Sequence, residues 1–435
     1  MKRKISVLLI IALLATLLSG CRVEGRGTLA VYQPVVEEKY DFQLAAEKLS
    51  AASGKNLTAD MLEKIGADKV LQLVSEVDTG AYSDKSWLRV TGYSLIVNLD
   101  MANGTVDAKN VRNFGYNGKD YFDVSFAGDV NYDPECAPMA RLNELGGVAE
   151  CFDAEVLDTL RNSDITLINN ECSISARGSA LEGKTYTFRA HPDTVQYHKE
   201  LGADIVSLAN NHVYDYGETA FLDTLDHLTA AGIPYVGAGR NLDEAGQAQY
   251  FIINGIKVGI IAASRAEKVY FTPVATDDTP GIMGTYESAD FLEAVKEADA
   301  QCDILIAYVH WGTEKSVKLE TAQKEMAREY IDAGADAVIG AHTHCLQGME
   351  FYNSKPVIYS LGNFWFSNYA AETGILTLRI DRDMNVQTVF MPLIQKNGEV
   401  RCFETQEERR ELFDKIASYE PQGVSILDDG TVMPA

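Results

Sequence analysis

An α/β domain is the fold class this sequence predicts, and three observations carry it. From Tyr121 onward, short apolar runs alternate with amphipathic segments of helical spacing, the pattern of strands and helices taken in turn. The chain has 435 residues, 46% hydrophobic and 23% charged, so it can bury the core such a domain needs and is neither fibrous nor disordered. Five of the apolar runs are each followed by a side chain able to bind metal. In open α/β sheets that is where ligands bind, outside the carboxyl ends of the strands.

Taken in order, residues 1–20 read as a secretory lipoprotein signal. Lys2, Arg3 and Lys4 precede the apolar run Ile5–Leu18, which is short for a membrane span, and Leu18-Ser-Gly-Cys21 resembles a lipobox in which Cys21 receives the lipid. An uncleaved anchor is the alternative, and either one places the body outside the cytoplasm at the cell membrane. Residues 21–39, with Gly25, Gly27 and Pro34, read as a tether. Residues 40–118 read as a small α+β accessory domain without a chemical motif. It has two helices broken near Gly54, strands at Leu88–Val90 and Tyr93–Leu99, and a turn at Asn103-Gly104.

The principal domain spans 121–370, with 371–435 adding strands and a tail that complete it. Its strands are expected at Val124–Ala127, Ile165–Ile168, Ile205–Leu208, Ile304–Val309 and Ala337–Ile339. A hairpin over Tyr250–Ala263 turns at Asn254-Gly255, and Pro356–Ser360 and 374–402 add further strands. Helices are expected at Ala220–Ala231 and Glu320–Ala333, with Gly232, Gly334 and Gly340 as punctuation.

Acidic residues outnumber basic ones 63 to 38, for a net charge of −25. A chain so acidic lacks the electropositive face that nucleic acid requires, so nucleic acid is excluded as a main partner. Removing the three basic residues of the signal would take the charge to −28, which repels anionic membrane and leaves anchoring to the lipid. Past Cys21 six cysteines remain, none in a C-x-x-C pair, so no zinc knuckle or thioredoxin site is suggested.

The candidate chemistry lies where the strands end. Asp129, Glu171, Asn211, His310, His342 and His344 follow five successive runs, and four of the seven histidines (His212, His310, His342, His344) fall there. Imidazole, carboxylate and amide donors together suit a divalent or trivalent transition metal, Mn, Fe or Zn, as one ion or two. Two ions about 3.5–4 Å apart can clamp a phosphoryl group and activate the attacking oxygen. Singly, each element has an ordinary explanation as a turn, a cap or a loop; it is their joint order that argues for a site. Asp215 and Glu314 are candidates to orient His212 and His310, or are solvated charges. Arg189 could grip an anionic substrate through its fork, or form a surface ion pair. Asn363 follows a strand and is placed to face the site.

The runs Phe126-Ala-Gly-Asp129, Ser207-Leu-Ala-Asn-Asn-His212, Gly237-Ala-Gly239, His310-Trp-Gly-Thr-Glu314, Gly340-Ala-His-Thr-His344 and Tyr359-Ser-Leu-Gly-Asn-Phe364 resemble the CapA family of capsule and poly-γ-glutamate synthesis, within the calcineurin-like metallophosphatases. The resemblance implies a four-layer α/β/β/α sandwich with its metal site at the strand ends. It also implies Asp129, Glu171, Asn211, His310, His342 and His344 as ligands and His212 as the catalytic group at the reacting oxygen, beside which Asp215 is the candidate orienter. One departure stands out: the family of phosphatases opens Asp-x-His, and Asn131 replaces that imidazole here.

The function implied is a lipid-anchored CapA-like protein in synthesis, export or anchoring of an anionic surface polymer, probed as a metal-dependent hydrolase. Its partners would be an anionic polymer or phosphoester substrate, the membrane, and membrane-bound polymer synthase subunits. A generic extracytoplasmic metallophosphoesterase and a non-catalytic polymer- or synthase-binding scaffold are the alternatives.

Overall fold

In a computed structural model, the described residues are 40–54, 57–83, 86, 110–115, 117–267 and 270–435. The signal, the tether, Cys21, and the strands and turn expected between Leu88 and Gly104 lie outside them. From Phe42 to Ala435 the chain forms one compact unit. Among the described residues no helix is long and apolar enough to cross a membrane.

Three helices come first, α1 (Phe42–Ser53), α2 (Ala59–Ile65) and α3 (Ala67–Thr79). Sequence spacing suggested two; the extra break falls at Gly66, whose φ of 100° is open to glycine and interrupts the run of helical residues.

The strands, in chain order, begin with β1 (Val111–Gly115), β2 (Tyr121–Val130), β3 (Ile165–Asn170), β4 (Ser173–Ile174), β5 (Arg189–Ala190), β6 (Ile205–Ser207) and β7 (Tyr235–Val236). Next come β8 (Ala238–Gly239), β9 (Gln249–Ile253), β10 (Ile256–Ser264), β11 (Gly281–Ile282), β12 (Ile304–His310), β13 (Ala337–Ala341) and β14 (Met349–Tyr352). Last are β15 (Lys355–Ile358), β16 (Asn363–Trp365), β17 (Ala371–Asp381), β18 (Val386–Lys396), β19 (Glu399–Cys402), β20 (Val424–Ile426) and β21 (Thr431–Pro434).

Two large sheets result. The first has the order β1-β9-β10-β12-β13-β15-β14. The second runs β20-β21-β18-β17-β2-β3-β6-β7, with β16 on β2 and β19 on β18. The turn at Asn254-Gly255 joins β9 and β10 as an antiparallel pair, as its sequence requires. Both central blocks, β2-β3-β6-β7 and β10-β12-β13-β15, are parallel, so in each sheet the carboxyl ends gather on one edge.

Side-chain alternation makes the layers. Phe122, Val124 and Phe126 of β2 share one core with Ile304, Ile306 and Tyr308 of β12 and with Ile256, Val258 and Ile260 of β10, so the two sheets pack face to face. The opposite face of the second sheet is covered by α4 (Ala137–Leu145), α5 (Ala154–Asn162), α6 (Val195–Leu201) and α7 (Gly217–Ala231) through Leu142, Leu160, Leu201 and Phe221. That of the first is covered, past the short α8 (Leu242–Gly246), by α9 (Ala289–Asp299) and α10 (Thr321–Ala333) through Phe291, Val295 and Tyr330. The four-layer α/β/β/α sandwich is therefore present. Helix α11 (Gln406–Ser418) turns Leu412, Phe413 and Ile416 into the central core.

Gly232 and Gly334 do end helices. Gly340 is instead inside β13, where a Cβ would run into the carbonyl of Tyr359. The six cysteines among the described residues are free thiols.

Candidate metal centre

Three of the six candidate ligands come from each sheet. Asp129 ends β2, Glu171 follows β3 and Asn211 follows β6; His310 ends β12, and His342 and His344 follow β13. Asp129 and His310 are the last or next-to-last residues of their strands rather than residues past them, because the strands run further than their apolar runs.

Asp129 owes its direction to a bulge. Ala127 faces the helices, and two residues later Asp129 would do the same in a regular strand. The pairing of β2 with β3 shifts between Phe126 and Asp129, so Asp129 comes to lie opposite Asn169 and on the inter-sheet side. The Tyr308 hydroxyl donates to the Ala127 carbonyl at 3.1 Å, and the Asp129 N–H donates to the Gly362 carbonyl at 3.0 Å, which fixes the bulge from both sides.

Two donor triads result. Glu171, His310 and His342 form one, and Asp129, Glu171 and His344 the other; within each, the ligand atoms lie within 4.8 Å of one another. Glu171 belongs to both, and it is fully buried with neither oxygen accepting a hydrogen bond among the described residues. The His310 Nε2 atom lies 3.0 Å from Asn211 Oδ1, 3.1 Å from His342 Nδ1 and 3.3 Å from Glu171 Oε1. One ring nitrogen cannot serve three acceptors with a single proton. Lone pairs converging on one point, beside a buried carboxylate without donors, are what a cation fits.

Burial, then the nearby Asp129 charge, pushes Glu171 well above the usual carboxylate range. Burial also opposes the charge of Asp129, but His344, whose Nδ1 lies 3.5 Å from Oδ2, and the amide hydrogen bond from Asn169 prevail and hold it low. His344 responds in kind: burial works against its proton, and Asp129 raises it nonetheless. Burial drives His310 down to about 3 and His342 well below the ordinary imidazole value, so both present neutral nitrogen.

His212 lies outside both triads. Its Nδ1 is 2.7 Å from Asp215 Oδ2, which also accepts the Phe188 N–H at 2.7 Å, while Asp215 Oδ1 pairs with Lys184 Nζ at 2.9 Å. Asp215 thus accepts the Nδ1–H and leaves Nε2 as the working atom. Asn363 Oδ1 is 2.7 Å from His344 Nδ1. Arg189 is held elsewhere: it stacks 4.2 Å over the Tyr216 ring and donates to the carbonyls of Arg177 and Gly178. Glu314 is exposed and acts on Glu171 and His344 through space, whereas the nitrogens of His310 meet Asn169, Asn211, Glu171 and His342.

The side chain of Asn131 is buried. Its Oδ1 accepts the Asp133 N–H at 2.8 Å, and its Nδ2 has no partner among the described residues.

Three supporting residues escaped the sequence reading. Asn169 Nδ2 donates to Asp129 Oδ1 at 2.8 Å and lies 3.2 Å from His310 Nδ1. Asn210 donates to Asn169 Oδ1 and to the Asn170 carbonyl, and its own Oδ1 accepts the N–H groups of His212 and Val213. Lys184, with a side chain only 7% exposed, joins Asp215, Glu267 and the Asn211 carbonyl. Asn169 and Asn210 adjoin named candidates in the sequence and were visible as neighbours; nothing in the spacing around Lys184 marks it.

Residues 123–368 match the family model for the bacterial capsule synthesis protein PGA_cap. The chain is 32% identical over 213 residues to the capsule biosynthesis protein CapA of Bacillus anthracis, covering 48% of this chain and 51% of that one. It is 29% identical over 249 residues to the PGA biosynthesis protein CapA of Bacillus subtilis, covering 57% and 64%. It is 33% identical over 219 residues to a "probable polyglutamine synthesis accessory protein" of Mycobacterium tuberculosis, covering 48% and 58%. The matches thus span about half to two thirds of these curated relatives. The family model takes in more than half of the chain, with all six candidate ligands and His212 inside it, and the chain belongs to the bacterial capsule synthesis protein PGA_cap family.

Proposed function

We propose that this protein is lipid-anchored through Cys21 on the outer face of the cell membrane and acts in the synthesis, export or anchoring of an anionic surface polymer, capsule or poly-γ-glutamate. Its instrument would be a metal-dependent hydrolase-type site. The observation that carries the reading is the pair of buried triads sharing Glu171, in a chain of this family. The basic start, apolar run and Leu-Ser-Gly-Cys21 ending support the anchor.

Asp129, Glu171, Asn211, His310, His342 and His344 would hold one or two ions of Mn, Fe or Zn. A bound ion supplies Lewis acidity and makes water a competent nucleophile near neutral pH. The chain's own groups do the rest. Buried His310 and His342 stay neutral and available as donors, and Asn169 fixes Asp129 and His310 in register. His212, its Nδ1–H donated to Asp215, presents Nε2 to the reacting oxygen, as general acid when that nitrogen also carries a proton. Lys184 balances the buried charge of Asp215.

Asn131 favours a second reading, in which the centre is structural and the protein is a scaffold for polymer or synthase subunits. Metal content by mass spectrometry, compared with a His342→Ala, His344→Ala double variant, comes first. About two equivalents, lost in the variant, support the metal centre; equal content in both proteins removes it. His212→Ala then divides the readings. An enzyme keeps its metal but loses turnover by about 10²- to 10⁴-fold, together with surface polymer; a scaffold keeps both metal and polymer.

A further inference from the structure

Among the groups around the centre, Lys184 is the one that elementary electrostatics argues against. A buried ammonium loses its hydration, and beside a site for cations it also repels the ion that site would hold. Its charge does reach the centre, where it adds to burial in keeping His342 neutral. What offsets this lies in its contacts. Residues 175–188, an irregular stretch between β4 and β5, carry Lys184 inward. They fold back over Asp215, with the Leu181 N–H on its carbonyl at 2.9 Å and the Phe188 N–H on its carboxylate.

The ammonium then meets three oxygens. It donates to the Asn211 carbonyl and to Glu267 Oε2, the latter at 2.9 Å, and it pairs with Asp215 Oδ1 at 2.9 Å. Thr272 Oγ1 lies between two of the same acceptors, 3.0 Å from the Asn211 carbonyl and 3.1 Å from Glu267 Oε2. The Asn211 carbonyl belongs to the peptide that joins Asn211 to His212. At the other end of that peptide, the His212 N–H donates to Asn210 Oδ1 at 3.1 Å. One planar unit is thus gripped at both ends. On one side of it stands Asn211, whose Oδ1 is 3.0 Å from His310 Nε2, and on the other stands His212. The tilt of a planar peptide fixes ψ of the residue before it and φ of the residue after, so it aims both side chains.

We propose that Lys184 is a positioning residue that locks the Asn211–His212 peptide, so that one ammonium aims both the Asn211 ligand and His212. Its effect on metal rests on the reading of the six donors as a metal centre. The lock itself belongs to the metal-free chain.

Two readouts on the full chain in detergent micelles test this. The first is deuterium exchange of the His212 N–H in metal-free protein, followed by NMR on ¹⁵N-histidine-labelled chain. Lys184→Met should speed it about tenfold, with the other histidine amides unchanged as internal reference. The second is calorimetric titration with Mn²⁺. Lys184→Met should bind about tenfold more weakly, whereas removal of a repelling charge alone would tighten binding. Lys184→Met, Glu267→Gln removes one charge of each sign, which protects the fold, and should keep both defects. In an Asn211→Ala background, Lys184→Met should weaken Mn²⁺ binding no further. Recovery of affinity in the paired variant would reduce Lys184 to charge balance and overturn the proposal. So would unchanged His212 exchange, or losses that add to that of Asn211→Ala. Failure of the centre reads differently: a wild type that takes up no Mn²⁺ yet shows the exchange difference sinks the metal reading and leaves the lock standing.

Discussion

His198 sits on α6 with Nε2 3.1 Å from Asn170 Oδ1 and Nδ1 3.2 Å from the Tyr132 hydroxyl, and burial alone lowers its pKa to about 3. It is a histidine of the core, held neutral, with the same depressed titration as His310 and a different employment. Its contribution to stability has a definite sign. The unfolded imidazole takes a proton near pH 6.5 and the folded one only near 3, so the unfolded state binds more protons between those values. Stability is therefore complete above pH 6.5 and falls as the pH drops, by about 2 kcal/mol at pH 5 from this one group. His198→Gln keeps a donor and an acceptor but cannot titrate. Urea unfolding at pH 7 and pH 5 should show a loss about 2 kcal/mol smaller in the variant than in wild type; an identical loss would assign the acid sensitivity elsewhere. Residues at the metal loop show a second kind of tension. His342 and His344 have φ of 91° and 55°, a region that costs a bulky side chain free energy and that persists where surrounding contacts dictate it.

Among the elements, β2 shows how a strand can be recognised and its decisive detail missed. The run Val124–Ala127 identifies the strand, but Gly128-Asp129 reads equally as a turn, and only pairing with β3 reveals the bulge that reverses Asp129. Gly128 packs against Gly362, and a Cβ there would run into the Gly362 carbonyl that holds the Asp129 N–H. Gly128→Ala should thus cost about 3 kcal/mol of stability and weaken metal binding about 10- to 100-fold. Gly147→Ala, at a position with open space around it, should change neither, and calorimetric titration with Mn²⁺ reads both variants. The same contrast governs legibility at large. The strand cores, the hairpin at Asn254-Gly255, the glycine ends of α7 and α10 and the proximity of Asp215 to His212 were readable, because each depends on local spacing. The bulge, the break at Gly66, and the bridging by Asn169, Asn210 and Lys184 were not, because each depends on which residues the sheets bring together. Asn169 touches His310 across 141 positions of chain.

Across the whole molecule, the net charge of −25 repels, at long range, the anionic polymer proposed as its partner, in opposition to any local contact that holds it. Added salt screens the long-range repulsion as well as the local contact, so moderate salt should speed association of an anionic chain even where it weakens the bound state. The candidate ligands divide three and three between the sheets. Between those layers lie an apolar core and a few hydrogen bonds, Tyr308–Ala127 and Asn169–His310 among them, none of which resists sliding as coordinate bonds do. An ion bound in both triads would therefore act mechanically, as a rivet through the seam. In a force spectrometer, with handles on β1 of one sheet and β20 of the other, the chain loaded with Mn²⁺ should rupture at higher force than after chelation. Equal rupture forces would show that the seam is sheared without breaking the centre. On the proposed reading, of a protein anchored at one end and engaged with a polymer at its centre, tension would be borne at the very place where the ligands meet.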